Sequence, residues 1–231
     1  MALVSEEISD ATSMHRPIPW VLVAVAGVAM AVFVAVTVVV VSNPSLAFDA
    51  RAFTIAGDLR TPWLDSAARV VTTLGLIAVV GAAVALAAVF LFARHEPARG
   101  AALVAGAALS WLTVWIIKAQ VDRARPPEPL VHTSGQSYPS AHAANSVGWL
   151  AIAIALTVVI PTTGRRIAVI AAGAVLTVLV GLSRIYLRAH YASDVVGGEA
   201  LAVSMYALAA SAAVVWDSRR VSRRRRVASV G

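Results

Sequence analysis

Three short polar segments of this chain carry residues suited to phosphate chemistry. They cover residues 118–126 (KAQVDRARP), 138–142 (YPSAH) and 183–194 (SRIYLRAHYASD). Each lies at the end of a long apolar stretch, where a charged side chain is costly unless it has a partner or a function. The segments therefore predict one polar site that is assembled where hydrophobic helices end.

Three basic side chains, Lys118, Arg125 and Arg184, are suited to hold a phosphate group. Arginine grips phosphate oxygens through a bidentate fork, and lysine acts as a point charge. Two prolines follow Arg125 and stop the preceding helix there. Snorkelling to the membrane interface is the alternative for any one basic side chain, and we assign Arg123 and Arg188 to it.

The segment 138–142 has the pattern of a helix start. Ser140 is a favoured N-cap residue, and the unpaired N–H groups of a helix start form a seat for an anion. His142 falls in the first turn of this helix, where its ring can reach a bound anion. The alternative is a plain capping serine beside an interfacial histidine.

The segment 183–194 combines a cation, a histidine and a carboxylate. Ser183 and Arg184 close one apolar stretch, His190 follows, and Asp194 comes one helical turn after His190. At that spacing Asp194 can accept a hydrogen bond from the ring of His190. This bond fixes the tautomer and leaves the other ring nitrogen free to attack phosphorus. A capping role for Asp194 alone leaves His190 unexplained.

The composition indicates a membrane protein. The chain has 231 residues, of which 59% are hydrophobic and 13% charged, and its mean hydropathy is +0.80. Soluble domains are about half apolar and about one quarter charged. Stretches of about 20 apolar residues cross a bilayer, and this chain has several. There is no cysteine, so disulfide and thiolate chemistry is excluded.

We predict an all-α bundle with six transmembrane helices, over residues 19–41, 67–93, 101–117, 143–160, 167–187 and 195–216. Residues 18–216 form the transmembrane domain in this prediction, between a polar tail (1–17) and a basic tail (217–231). The first apolar stretch is longer than a signal-peptide core, so we expect it to be retained. A basic tail beside a hydrophobic helix indicates anionic lipid headgroups rather than nucleic acid.

The placement of lysine and arginine favours two cytoplasmic termini in a plasma membrane. With six alternating helices, all three polar segments then lie on the outer face. No outer segment groups histidines and carboxylates as a metal site requires, so we expect no metal.

The three segments resemble the K-x6-RP, PSGH and SR-x5-H-x3-D signatures of the type 2 phosphatidic acid phosphatase (PAP2) superfamily. Residues 59–65 (LRTPWLD) and the Leu-Gly pair after them are also similar to that family. The resemblance covers about residues 50–206 and implies the helical bundle of a bacterial membrane lipid phosphatase. One departure is Ala141, where the signature has glycine.

The resemblance implies a role for each matched residue. His190 would be the nucleophile that forms a phosphohistidine, and Asp194 would orient it. His142 would protonate the leaving group and then activate water. The phosphate cradle would comprise Lys118, Arg125, Arg184, Ser140 with its neighbouring N–H groups, and Ser183. No cofactor is implied.

The expected function is the removal of phosphate from a lipid phosphate or diphosphate, with membrane lipids around the enzyme. The substrates to consider are polyprenyl diphosphate, phosphatidylglycerol phosphate and phosphatidic acid, and an outward site favours the first. A phosphotransferase with a lipid or sugar acceptor would use the same residues. A transporter for anionic lipids predicts polar residues deep inside the spans, which are nearly absent. Glu199, one turn inside the last span, has no signature role, and we interpret it as a hydrogen-bonding group between helices or at the interface.

Overall fold

The protein is described by a computed structural model that covers residues 19–43 and 45–228, with side chains up to residue 220. All regular structure in these residues is helical, which confirms the predicted all-α architecture. The α-helices are α1 (Pro19–Ser42), α2 (Ala47–Asp58), α3 (Pro62–Thr73), α4 (Ile77–Ala93), α5 (Pro97–Val121), α6 (Ala141–Leu156), α7 (Thr163–Tyr186) and α8 (Ala192–Ala228). A 3-10 turn (Thr157–Val159) extends α6.

Five of these helices are long and apolar enough to cross a membrane, namely α1, α5, α6 with its extension, α7 and α8. The remaining predicted span, the second in the chain (67–93), corresponds to α3 and α4, which bend by 49° at the break between them. The break therefore divides the stretch that the sequence pattern predicted as one helix over residues 67–93.

The bend between α3 and α4 is held against α6. The carbonyl oxygens of Leu74 and Gly75 accept hydrogen bonds from the side chains of Trp149 (2.9 Å) and Asn145 (3.1 Å). A helix end leaves such carbonyls without intrahelical partners, so these two side chains satisfy them. The contact brings the end of α3 close to the start of α6.

Helix α8 is central, because it packs against α1, α5 and α6, while α6 also packs against α7. The core between these helices is formed by apolar side chains such as Val84, Leu91, Val147 and Leu201. Large apolar side chains also cover the outer surfaces of the spanning helices, as a lipid-solvated bundle requires.

The last helix is longer than the predicted span over 195–216. It continues to Ala228, and Arg220 stacks at 4.1 Å over the ring of Trp216. The predicted N-terminal tail (1–17) lies outside the described residues, as do the side chains of most of the predicted basic tail.

The chain direction brings the polar segments to one end of the bundle. The last turns of α3, α5 and α7 meet the first turns of α6 and α8 there, and α2 lies against the last two helices, α7 and α8. Two loops complete this end, residues 122–140 between α5 and α6 and residues 187–191 between α7 and α8.

Candidate active site

A buried histidine and a buried carboxylate form the centre of the polar end. His190 lies in the loop 187–191 and is 1% exposed, and Asp194 in the first turn of α8 is fully buried. The Nδ1 atom of His190 lies 3.3 Å from Oδ2 of Asp194. The N–H of Tyr191 donates to the same oxygen at 3.0 Å. The hydrogen bond predicted from the spacing of four residues is therefore present, and it leaves Nε2 of His190 for chemistry.

Arg125 lies beside that second nitrogen. Its Nη1 atom is 3.1 Å from Nε2 of His190 and donates to the carbonyl oxygen of Ala189 at 2.8 Å. Its Nη2 and Nε atoms donate to the carbonyl oxygens of Ser134 and Gly135. These bonds fix the guanidinium on the side of the ring from which Nε2 would attack.

His190 is a neutral base at neutral pH. Burial lowers the pKa of His190 to about 4, and the effect of Asp194, which raises the pKa, offsets burial only in part. Arg125 and Arg184 lower the pKa further through their positive charges. A neutral ring with Nδ1–H on Asp194 carries its lone pair on Nε2, where it accepts a hydrogen bond from Nη1 of Arg125.

Arg184, in the last turn of α7, is a buried cation with an incomplete set of partners. Its Nη1 atom donates to the hydroxyl of Thr72 in α3 at 2.7 Å, whereas its Nε atom is buried and has no hydrogen-bond partner among the described residues. The N–H groups of a buried guanidinium are costly to leave unpaired. An anion bound at this place would complete the set.

Lys118 lies at the same end of the bundle, in the last turn of α5. Its ammonium group donates to the carbonyl oxygens of Gln136 (2.7 Å) and Ser137 (3.3 Å). Among the described residues, none of Lys118, Arg125 and Arg184 forms an ion pair with a carboxylate. Within the part of the chain that the structure describes, three cations at one end of the bundle thus have no carboxylate in direct contact, which favours the binding of a polyanion.

The start of α6 faces this group of cations. His142 is the second residue of α6, and Arg184, His190, Arg125 and Lys118 all lie within electrostatic range of it. The arrangement brings both histidines and the three cations to one site, as the sequence predicted.

Ser140 caps α6, since its hydroxyl oxygen accepts a hydrogen bond from the N–H of Ala143 at 3.4 Å. The N–H of Ser140 itself donates to the carbonyl oxygen of Asp194 at 2.9 Å, so it is not free for a phosphate oxygen. The expected anion seat is therefore reduced to the N–H groups of Ala141 and His142, which begin the helix.

Ala141 replaces the glycine of the signature without backbone strain. It is the first residue of α6 and does not have a positive φ angle. Only a left-handed conformation would require glycine there. The hydroxyl of Ser183 donates its proton to the carbonyl oxygen of Val180 in its own helix at 2.6 Å, so in this conformation it has no proton to donate to a phosphate oxygen.

Two glycines of α8 allow the turn before α6 to approach closely. A Cβ atom on Gly197 would lie 2.5 Å from the hydroxyl of Tyr138, and one on Gly198 would lie 2.5 Å from the carbonyl oxygen of Ser140. Such distances are shorter than van der Waals contact, so any side chain would displace the turn.

Arg123 is a buried part of the site, and its interpretation as a snorkelling side chain is wrong. Its guanidinium is 8% exposed and donates to Asp194 (2.6 Å), Ser193 (2.8 Å) and Asp49 (2.9 Å). Burial opposes the charge, but Asp194 and Asp49 outweigh it and raise the pKa of Arg123. Helix α5 ends at Asp122 in a left-handed conformation, and the chain turns Arg123 inward there.

Sequence reasoning missed Asp49 and Thr72 altogether. The signal for Asp49 was a carboxylate in the stretch 42–50, which is otherwise free of charge. Thr72 carries no such signal, since a threonine near a helix end is common on helices of every kind. Arg188, the other residue assigned to snorkelling, is half-buried and lies over the ring of Phe53 at 5.2 Å.

Glu199, which we interpreted as a hydrogen-bonding group between helices or at the interface, is half-buried at the contact between α7 and α8. Its Oε1 atom is buried and forms no hydrogen bond within the described residues. The residue that faces it on α7 is Gly181, where an added Cβ atom would lie 2.5 Å from Oε1. Glycine has no side chain to donate a bond, so Gly181 offers no side-chain partner to this oxygen.

Comparison with known proteins identifies the family to which this chain belongs. Residues 100–220 match the PAP2 superfamily. The chain belongs to the PAP2 superfamily. Phosphatidylglycerophosphatase B of Bacillus subtilis strain 168 is 32% identical over 161 residues, which cover 65% of this chain and 75% of that relative. The resemblance stated from the three signatures is therefore confirmed, and the protein is a PAP2-type lipid phosphatase of a membrane.

Solved structures agree with this assignment. The crystal structure described as the first transmembrane PAP2-type phosphatidylglycerolphosphate phosphatase from Bacillus subtilis matches with a TM-score of 0.73 and 26% identity, over 80% of this chain and 93% of that one. Aquifex aeolicus LpxE shares the fold, with a TM-score of 0.58 and 23% identity over 71% of this chain and 96% of the LpxE chain.

The PAP2 site of this protein places the neutral ring of His190 beside positively charged side chains. Among the described residues, no group of three or more histidines and carboxylates is arranged to hold a metal ion. What the site does offer is fixed positive charge, backbone N–H groups and two imidazoles. These groups are the ones that phosphoryl transfer uses for positioning and for charge stabilisation.

Proposed function

We propose that this protein hydrolyses a phosphate from a lipid phosphate or diphosphate through a phosphohistidine on His190. The observation that carries the proposal is the set of three cations without carboxylate partners beside the neutral ring of His190. A phosphoryl group in the space between them would complete the donors of Arg184 and take the place of the ring nitrogen on Nη1 of Arg125.

In the first step, Nε2 of His190 attacks phosphorus and a P–N bond forms. The bond between phosphorus and the leaving oxygen breaks, and His142, whose protonated form is favoured by the negative charge of the bound phosphate, gives its proton to that oxygen. Asp194 holds Nδ1–H throughout and stabilises the positive charge that the ring gains. Lys118, Arg125 and Arg184 offset the charge on the phosphoryl oxygens.

In the second step, water attacks the phosphohistidine. His142, now neutral, takes a proton from the water, the P–N bond breaks and the electron pair returns to Nε2 of His190. Inorganic phosphate leaves, and both histidines are back in their starting states. Ser140 supports this cycle by capping α6, which keeps His142 and the free N–H groups of its first turn at the anion.

The membrane setting favours a lipid substrate. The site lies at one end of a bundle of spanning helices, so a lipid tail can remain in the bilayer while its phosphate enters the cluster of cations. The name of the 32%-identical relative supports phosphatidylglycerol phosphate as one substrate to test. The distribution of basic residues places the site on the outer face of the plasma membrane in our proposal, and there polyprenyl diphosphate is the favoured substrate.

Phosphate release from phosphatidylglycerol phosphate, polyprenyl diphosphate and phosphatidic acid in detergent tests the proposal. We expect His190→Ala to lower kcat by more than about 10⁴-fold, as the loss of a nucleophile does in other hydrolases. We expect His142→Ala to lower it by about 10²- to 10⁴-fold. His132→Ala is the matched control, because this histidine is exposed on the loop between α5 and α6.

Brief reaction of the wild-type enzyme with a ³²P-labelled substrate, followed by quenching, should give an acid-labile protein phosphate. The label should be absent from His190→Ala. A fully active His190→Ala variant would end the assignment of the nucleophile, and activity that depends strictly on an added divalent metal ion would contradict the mechanism. A reporter fused after Gly231 should lie in the cytoplasm, and an external reporter would reverse the proposed orientation.

A further inference from the structure

Asp49 is a buried carboxylate in the first turn of α2, outside the segment that matches the PAP2 superfamily. It is 3% exposed. Its Oδ1 atom accepts a hydrogen bond from the N–H of Ser193 at 2.8 Å. Its Oδ2 atom accepts one from the hydroxyl of Ser193 at 2.7 Å and one from Nη2 of Arg123 at 2.9 Å. These donors belong to Ser193, which precedes Asp194 in the chain, and to Arg123, which binds Asp194.

Arg123 connects Asp49 to the nucleophile. One arm of its guanidinium binds Asp49, and the other, Nη1, donates to Oδ1 of Asp194 at 2.6 Å. The second oxygen of Asp194 faces Nδ1 of His190. Alternating charges thus run from Asp49 through Arg123 to Asp194 and end at the ring that would attack phosphorus.

Aromatic packing also links α2 to Arg123, through the ring of Tyr191. The guanidinium of Arg123 lies 4.1 Å from the centroid of the Tyr191 ring, and Phe53 of α2 packs against Tyr191 at 5.6 Å between ring centroids. Helix α2 therefore covers the loop of His190 from outside, with one charged and one aromatic residue directed into it.

The guanidinium of Arg123 binds two carboxylates at once, and this has a physical consequence for the active site. Arg123 lies in the same loop as Arg125, close to the place where a phosphate would bind, and a free guanidinium there would be drawn to the phosphate. Asp49 holds one arm of Arg123, so that the other arm stays on Asp194. Asp194 then keeps its charge and its orientation toward His190, both of which its role requires.

We propose that Asp49 and Arg123 are positioning residues that aim Asp194 at His190, so that α2 belongs to the machinery of the active site. The inference rests on the proposed roles of His190 and Asp194. Because neither residue touches the phosphate, their loss should lower kcat and leave KM nearly unchanged.

The test compares Asp49→Asn, Arg123→Lys and Arg123→Met with the wild-type enzyme. Asp49→Asn keeps the size of the side chain and an acceptor for Ser193 but removes the charge. We expect Asp49→Asn and Arg123→Met to lower kcat by about 10- to 100-fold, the range seen for residues that orient a catalytic ligand. Arg123→Lys should recover part of the loss. Asp58→Asn and Arg51→Lys are matched controls, because both residues are exposed on α2.

A double-mutant comparison separates positioning from a general loss of structure. In an Asp194→Asn background, Asp49→Asn should cause little further loss of kcat, because the group through which it acts is already gone. A purely structural role would give the same fold loss in both backgrounds. Monodisperse elution and an unchanged melting temperature show that each variant is folded. If Arg123→Met does not fold, Asp49→Asn alone carries the test.

The outcomes distinguish this inference from the proposed function. If His190→Ala or Asp194→Asn retains full activity, the proposed function fails first. If those two variants lose activity but Asp49→Asn has a wild-type kcat, or shows its full loss in the Asp194→Asn background, the inference about α2 is overturned by itself. A raised KM at constant kcat would equally overturn it.

Discussion

The Nη1 atom of Arg125 lies 3.1 Å from Nε2 of His190, on the ring nitrogen that does not face Asp194. The same guanidinium is anchored to three backbone carbonyl oxygens, so it does not move freely. A phosphate oxygen that binds Nη1 is thereby placed next to the lone pair that would attack. In the proposed mechanism one residue would both bind the anion and hold it at His190, which is the positioning effect that lowers the barrier of phosphoryl transfer.

The pH dependence should report on His190. Burial lowers the pKa of His190 from 6.5 to about 4, and only the neutral ring is a nucleophile. Activity should therefore rise with pH through a limb near pH 4 that belongs to His190. In Asp194→Asn this limb should move to a lower pH, because the carboxylate favours the protonated ring, while the plateau of activity falls.

Profiles of kcat/KM between pH 3 and pH 8 in detergent check this prediction. The same substrate is used for both enzymes, so its own ionisation contributes equally to the two profiles. Only a limb that differs between wild type and Asp194→Asn is assigned to His190. Such a limb near pH 6.5 in the wild type would contradict the effect of burial.

Thr72→Val tests the anchor of Arg184. The substitution keeps the shape of the side chain but removes the hydroxyl that accepts a bond from Nη1 of Arg184 at 2.7 Å. A hydrogen bond to a charged group contributes about 1.5–3 kcal/mol, so kcat/KM should fall by about 10- to 100-fold. Thr72→Ser should retain most of the activity.

Thr73→Val is the matched control for that experiment. Its hydroxyl is exposed and bonds only to the carbonyl oxygen of Val70 in the same helix. Kinetics in detergent on the same lipid phosphate should show little change for this variant. Equal losses at positions 72 and 73 would mean that the helix, and not the contact with Arg184, is responsible.

Gly198→Ala tests the close approach of α8 to the turn before α6. The added Cβ atom would lie 2.5 Å from the backbone oxygen of Ser140, and a backbone atom cannot move aside as a flexible side chain can. We expect a loss of about 1–3 kcal/mol of stability, together with a loss of activity as Ser140 and His142 shift. Thermal unfolding in detergent measures the first effect, and phosphate release measures the second.

Gly81→Ala is the control for the glycine experiment, because an added Cβ atom at this helical position meets nothing within 4 Å. Alanine is the better helix former by about 0.5–1 kcal/mol, so this variant should be neutral or slightly more stable. A Gly198→Ala enzyme as stable and active as Gly81→Ala would show that the turn has room to move.

Ala141→Gly restores the residue of the PAP2 signature. Because Ala141 already has the conformation of a helix start, glycine should leave kcat within about twofold and cost at most about 1 kcal/mol of stability. Steady-state kinetics and thermal unfolding check both expectations. A large gain of activity would mean that the methyl group of Ala141 keeps the first N–H groups of α6 from the phosphate.

The sequence was sufficient for the features that depend on neighbours along the chain. Apolar stretches of bilayer length predicted the helices, and the spacing of His190 and Asp194 predicted a contact within one turn. The order of the three signatures around those helices predicted that their polar ends would meet. Each of these follows from helical geometry or from the need to bury apolar surface.

The tertiary structure alone decided which polar groups are buried and what they bind. Arg123 and Arg125 are two residues apart and look alike in the sequence. Arg123 is neutralised by Asp49 and Asp194, whereas Arg125 forms no ion pair with a carboxylate among the described residues. Glu199 has a glycine opposite it, and its Oε1 atom has no hydrogen-bond partner among the described residues. The break between α3 and α4 likewise depends on side chains of α6. The reason is that the partners of a buried charge come from distant parts of the chain, and local spacing carries no record of which helices will pack together.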